Sequence, residues 1–348
     1  MINISEKMEG NRVKCVEIGS GKLAVIGHDI AKSSIEEHIK NFDLPPRVAI
    51  LTDREVSGYY LKDIIEYLRP HVSNPAIIIT DGNTMAKTID AIKPIIERLL
   101  DIEFGPSDLL IVLGGGGLID VARFVTGIFN CPMHTLIVPT TLLAMVEASQ
   151  NNKAFLSFQS YKDLLQIDTH PSDVIIDTAF LRTVSARITN NGAAQIVFYG
   201  LIDDRDLLTR LSVPGDIAGL IEAAIRSGMK IRTNKPNSLL YGREIANAIE
   251  THFRFLKYTS GESMALALMA MNHSTKLEAL YHRVGLPTRV EGVTRETLIK
   301  RILSRLVYEG DSTSIIMKDE HGSIAPVRMS KIEAQAYFEN ILAVILQT

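Results

Sequence analysis

Residues 109–124, LLIVLGGGGLIDVARF, decide the fold. Five consecutive branched apolar residues are too few for a helix of ordinary length and fit a strand buried on both faces. Gly114, Gly115, Gly116 and Gly117 then supply a turn in which backbone N–H groups can approach a pyrophosphate, and the segment carrying Asp120 has helical period. Strand, glycine turn and helix in this order place a nucleotide site at the carboxyl edge of a parallel sheet. The glycines lack the G-x-G-x-x-G spacing, so the same residues also suit a plain tight connection.

Comparable apolar runs flank this stretch at 47–52 (RVAILT), 76–80 (AIIIT), 134–138 (HTLIV) and 173–177 (DVIID). Helical-period segments at 57–68, 84–100 and 117–129 alternate with them, which predicts an α/β fold with a doubly wound parallel sheet. After about residue 185 long amphipathic stretches take over, at 217–231, 241–255 and 263–281, with few strand-like runs. The expectation is an α/β domain over 1–184 and a mainly helical domain over 185–348. TNKPNS (233–238) and residues 310–314 read as loops.

A length of 348 residues suits two domains of ordinary size. Lys and Arg number 37 against 40 Asp and Glu, a formal net charge of −3, so no basic field draws the chain to nucleic acid or anionic lipid. Trp is absent, which argues against a base-stacking platform. Two cysteines, Cys15 and Cys131, are too few for a disulfide framework or a Cys-rich zinc site. The first 30 residues mix charges into every apolar run, unlike a signal peptide, and no apolar stretch approaches the ~20 residues of a membrane-spanning helix. A cytoplasmic protein without membrane or nucleic-acid partners is expected.

Four motifs follow in fixed order: VLGGGGLIDVARF (112–124), VPTTLLAMVEAS (138–149), IIDTAFLRTVSAR (175–187) and GAAQIVFYGLI (192–202). Together they resemble 3-dehydroquinate synthase and its sugar phosphate cyclase relatives, closely over residues 108–203 and more faintly through LLYGREIANAIE (239–250) and SGESMALALM (260–269). The resemblance implies an N-terminal NAD-binding domain, a helical substrate-side domain, a site in the cleft between them, and a homodimer. It also implies a reaction in which NAD takes and returns a hydride, zinc polarises the substrate, and cationic side chains hold its phosphate and carboxylate.

The cofactor half of the pattern is partly kept. Asp53 matches the residue that holds a ribose; Gly114, Gly115, Gly116 and Asp120 match the pyrophosphate turn; Thr140, Thr141, Lys162 and Thr183 match as well. NAD is therefore the expected cofactor. Glu55, Asn83 and Ala86 depart from the family pattern, with Lys87 one position from the usual Lys. The bland alternative is that Thr141 only caps a helix, worth ~1 kcal/mol, and that Asp120 only favours a helix dipole.

The metal half is lost. Gln195, Arg243 and Ser260 stand where the family carries a glutamate and two histidines as zinc ligands. A neutral amide, a permanently protonated guanidinium and a hydroxyl make no zinc site, so zinc is not expected. His252, His273, His282 and their acidic neighbours lack spacing for a replacement; only Glu278 and His282 share a helical face. The substrate-anion set is thinned too: Lys153 is kept, but Asp163 replaces an Asn, Phe198 a Lys, Leu240 an Asn and Asn247 a His. Zinc with one carboxylate and two imidazoles totals +1, as does Arg243 with Gln195 and Ser260. Arg243 is accordingly expected to occupy the metal position, bonded to Gln195 and Ser260; the alternative is a helix Arg reaching solvent.

Two functions remain open. One is a divergent, metal-independent, NAD-using cyclase-type lyase acting on an altered anionic sugar or cyclitol derivative, with Lys153, Glu147, Arg243, Gln195 and Asn247 at the reacting end. The other is an inactive homologue that serves as a partner subunit or ligand sensor. A metal-dependent polyol dehydrogenase would need the histidine-rich site that is absent from these motifs.

Overall fold

The computed structural model describes residues 13–80, 87–147, 153–159, 161–169, 172–213, 215–319 and 323–346. Asn83 and Ala86 lie outside these. Contacts divide the chain into two units, one of residues up to 185 together with 216–225, the other of 186–215 together with 226 onward. Among the described residues no helix is long and apolar enough to cross a membrane.

The first unit is built on a seven-stranded sheet. Its strands are β1 (Lys14–Gly19), β2 (Lys22–Gly27), β3 (Val48–Asp53), β4 (Ala76–Thr80), β5 (Leu109–Gly114), β6 (His134–Pro139) and β9 (Asp173–Asp177), in the order β1-β2-β9-β6-β5-β3-β4. All pairings are parallel except β1 with β2. Every residue of β3 and β5 is buried, as expected of strands covered on both faces. The covering helices include α1 (Ala31–Lys40), the run α2 (Arg54–Val56) to α3 (Lys62–Leu68), α4 (Ile92–Asp101), α5 (Gly116–Ile128) and α6 (Leu142–Glu147). The α/β, doubly wound reading holds.

Two hairpins in this unit carry no clear sequence signal. The β1–β2 edge pair turns through Gly19 and Gly21, both at positive φ. A second pair, β7 (Lys153–Phe158) and β8 (Tyr161–Asp168), forms a separate two-stranded sheet against α5. Polar and charged residues interrupt both strands of this second pair, Lys153 and Ser157 on β7 and Lys162, Asp163, Gln166 and Asp168 on β8, so neither is apolar throughout.

The second unit is mainly helical: α7 (Ala186–Ile202), α8 (Asp206–Leu211), α10 (Arg243–His252), α11 (Ser260–Asn272), α12 (Thr275–Val284), α13 (Arg295–Leu303) and α14 (Lys331–Leu342), with the later part of α9 (Ile217–Asn234). It also holds an antiparallel sheet of β10 (Tyr308–Glu309), β11 (Ser312–Lys318) and β12 (Ile324–Ser330), which corrects the expectation of few strands. Residues 310–314 are not a loop throughout: Gly310, at φ 63°, turns the chain and β11 begins at Ser312. Likewise 233–238 is the end of α9 followed by a 3₁₀ turn at Pro236–Leu240, with Pro at its start. The periodic stretch 263–281 divides at His273 because Ser274 caps a new helix by accepting from Leu277 N.

Close helix approach fixes the second unit's core. Asn191 on α7 accepts from Gly261 N (3.0 Å) and from the Thr259 hydroxyl at the start of α11. A Cβ on Gly261 would lie 2.4 Å from Asn191 Cα, so only glycine permits this contact. Thr259 and Glu262 complete a capping box there, and Glu262 also receives both Nε (2.8 Å) and Nη2 (2.7 Å) of Arg187.

Candidate functional site

The sheet order places a switch point between β3 and β5: from β3 the chain winds outward to β4, and from β5 it winds the other way through β6 to β9. Ligands of such sheets bind outside the carboxyl ends of the strands at this point. Here those ends carry Asp53 and Gly114. Asp53 is buried and caps α2 by accepting from Val56 N at 2.9 Å. A Cβ on Gly114 would meet Asp53 Oδ2 at 3.3 Å and Leu118 Cδ2 at 2.5 Å, so glycine lets the turn pass this close to the acid.

Gly115 precedes α5 in extended backbone, and no side chain caps the helix, which leaves its first N–H groups available to an anion. Open space lies where a Cβ on Gly116 would be. Thr140 is buried and donates its N–H to Gly114 O (3.0 Å), joining the carboxyl end of β6 to the turn. Thr141 Oγ1 accepts from Ala144 N (3.4 Å) at the head of α6. Thr183 follows β9, 2.7 Å from the Tyr60 hydroxyl and donating to Phe180 O at 3.1 Å. The structure thus brings Asp53, Gly114, Gly115, Gly116, Thr140 and Thr141 to one edge, while Thr183 is tied to Tyr60.

Asp120 has a partner that the sequence did not single out. Lys87 Nζ lies 2.5 Å from Asp120 and 2.7 Å from Asp163, and also sits 5.7 Å from the centre of the Phe155 ring. Burial disfavours the Lys87 charge, but the two carboxylates outweigh it and hold its pKa above the ordinary value. Burial pushes Asp120 up to about 6; Lys87 opposes this, and the Asp163 and Glu147 charges add to it. In the sequence Lys87 and Asp163 stand as separate departures of opposite charge, with nothing to pair them. Lys153 and Lys162 stand on the β7–β8 hairpin, Lys153 at 4.0 Å from Asp168.

In the second unit α7 and α10 both pack against α11, and these helices carry Gln195, Arg243 with Asn247, and Ser260. Arg243 and Asn247, four apart, share a helical face. The expected bonds of Arg243 to Gln195 and Ser260 are not formed. Arg243 Nε donates instead to Leu239 O (3.3 Å), a carbonyl of the preceding 3₁₀ turn that lacks a helical donor. The Ser260 hydroxyl donates to Glu250 Oε2 at 3.5 Å, and Glu250 is 3% exposed. Among the described residues no three His, Cys, Asp or Glu side chains are grouped as a metal would need. Gln195, Arg243 and Ser260 offer no thiolate, imidazole or carboxylate, so these residues do not fit zinc.

A family profile described as 3-dehydroquinate synthase N-terminal matches residues 76–191. The 3-dehydroquinate synthase of Clostridium kluyveri is 23% identical over 337 residues, 89% of this chain and 94% of that protein. Over most of its length the chain is thus similar, at about a quarter identity, to 3-dehydroquinate synthases. Its fold matches a 2-deoxy-scyllo-inosose synthase complexed with carbaglucose-6-phosphate, NAD+ and Co2+ (TM-score 0.79, 18% identity, 94% of this chain and 99% of that one). It also matches the 2-epi-5-epi-valiolone synthase ValA of Streptomyces hygroscopicus with NAD+ and Zn2+ bound (TM-score 0.77, 17% identity, 95% and 99%).

Proposed function

We propose that this chain is an NAD-using, cyclase-type enzyme with an altered anionic sugar or cyclitol substrate, and that it works without a metal at the position of Gln195, Arg243 and Ser260. The observation that supports the reading is the grouping of Asp53, Gly114, Gly115, Thr140 and Thr141 at the carboxyl edge of the sheet, set against an amide, a guanidinium and a hydroxyl at Gln195, Arg243 and Ser260.

Asp53 would accept from ribose hydroxyls, and the Gly115–Gly117 backbone would donate to the pyrophosphate. The nicotinamide, when bound, would supply hydride acceptance. Lys153 and Lys162 offer cationic donors for anionic groups, and Glu147 an acceptor at the end of α6. Gln195 and Asn247 would orient substrate hydroxyls, and the Arg243 guanidinium, whose Nε donates to Leu239 O, would offer its terminal nitrogens to a carbonyl or carboxylate.

Calorimetric titration with NAD+ followed by turnover assays on sugar phosphates and cyclitols tests this. The expected result is saturable NAD+ binding and a turnover lost in Lys153→Ala and in Arg243→Ala. Failure of NAD+ to bind would reject the reading. A second reading, an NAD-binding sensor or partner subunit without turnover, is favoured by the Ser260–Glu250 contact, which engages the Ser260 hydroxyl with a buried carboxylate of the protein itself. Binding without turnover on any of these compounds would support it.

A further inference from the structure

Lys87 bridges three pieces of the first unit: the segment ahead of α4, Asp120 on the second turn of α5, and Asp163 on β8. Lys87 O also accepts from Ser157 N (2.9 Å), and Asp163 N donates to Ser157 Oγ (3.3 Å), so hairpin and lysine segment are stitched by backbone as well as by charge. Asp163 holds φ at 53°, an uncommon setting for a residue with a side chain. The lysine side chain is 8% exposed.

Resting on the NAD-binding reading, we propose that Asp163 is a positioning residue that sets dinucleotide affinity by capturing the Lys87 ammonium between itself and Asp120. Two carboxylates and one ammonium leave the triad at −1, in the same unit as a glycine turn that must receive a dianionic pyrophosphate. Glu147 adds a further negative charge to the field at Asp120. The cation that would otherwise favour the pyrophosphate is thereby spent inside the protein, and the dinucleotide is held less tightly than the glycine edge alone would allow. An asparagine at 163 keeps the side-chain shape and removes the extra charge.

The same arrangement makes affinity proton-dependent. Lys87, Asp163 and Glu147 are the charged groups that act on Asp120. The packed elements also carry Lys153 and Asp168 as a pair, Lys162 on β8, Arg123 on α5 itself and Asp53 on β3. Asp120 takes a proton as the pH falls through about 6, bringing the triad to neutrality.

NAD+ titration at pH 7.5 and pH 5.5, in low and high salt, on the wild type and on Asp163→Asn tests the proposal, with circular dichroism confirming folded protein. The expected result is Asp163→Asn binding about 3- to 10-fold tighter at pH 7.5 and low salt, the gain shrinking in high salt. Wild-type affinity should rise several-fold at pH 5.5, and that rise should be smaller in the variant. Equal or weaker binding by folded Asp163→Asn at pH 7.5 would overturn the inference while leaving NAD binding intact. A wild type that binds no NAD+ at either pH would reject the underlying reading and the inference with it. Should Asp163→Asn fail to fold, Asp163→Ser is titrated under the same criteria.

Discussion

Replacing Lys87 with methionine is the sharpest perturbation of the first unit. Methionine fills much of the volume and keeps contact with Phe155, but leaves Asp120 and Asp163 facing each other without a cation. Removing one partner of a buried pair costs about 3–5 kcal/mol. Asp120 already accepts a proton near pH 6, so part of that cost is relieved by protonation, and about 2–3 kcal/mol remains at pH 7.5. For a unit of this size each kcal/mol moves the melting temperature by about 2–4 °C, which gives a fall of about 5–10 °C. The sign of the pH effect follows from Asp120, whose folded pKa of about 6 lies above its free value of 3.8. The folded state binds more protons between those values, so destabilisation by the unpaired carboxylates fades as pH falls. Differential scanning calorimetry at pH 7.5 and 5.5 measures both quantities. A Lys87→Met melting temperature within about 1 °C of wild type at pH 7.5, or a deficit that grows at pH 5.5, would refute the buried-triad argument.

Other perturbations separate packing from binding. Gly116→Ala places its Cβ in open space, so its urea midpoint should match wild type while NAD+ affinity falls at least about ten-fold, because the methyl occupies the anion's approach. Gly114→Ala drives a Cβ to 2.5 Å from Leu118 and should cost about 1–3 kcal/mol in chemical denaturation, whether or not NAD+ is present. Arg187→Ala removes a two-armed contact with Glu262, but the arginine is 55% exposed, so the loss at pH 7 is about 1 kcal/mol. Arg187 and the Thr259 backbone hold Glu262 below its ordinary pKa against the opposing effect of burial. The stabilisation is therefore present above the unfolded carboxylate pKa and lost as pH falls through the folded one, and the wild-type advantage should vanish in denaturation curves at strongly acid pH.

The central strands were legible because they are buried on both faces and therefore apolar throughout; β3 and β5 show this in every residue. The hairpins were not, because β8 alternates exposed and half-buried positions and β1 mixes Lys14 and Glu17 with Val16. Motif order pointed to one sheet edge, and the topology brings Asp53, Gly114 and Thr140 together there. Lys87 stood out only for its offset in the motif; its pairing was not legible because one partner lies on the hairpin, 76 residues away in sequence. The Arg243 geometry failed for a related reason. Matching positions gave residue identities, but the competition between Leu239 O and Gln195 for one guanidinium, and of Glu250 for Ser260, depends on local backbone that motif spacing does not encode.

The most direct test of the central claim is metal content measured on purified protein together with turnover in the presence of a strong chelator. The account predicts sub-stoichiometric zinc and cobalt, retained NAD+ binding, and turnover unchanged by chelation. One zinc or cobalt per chain, with turnover abolished by its removal and restored by its return, would contradict it.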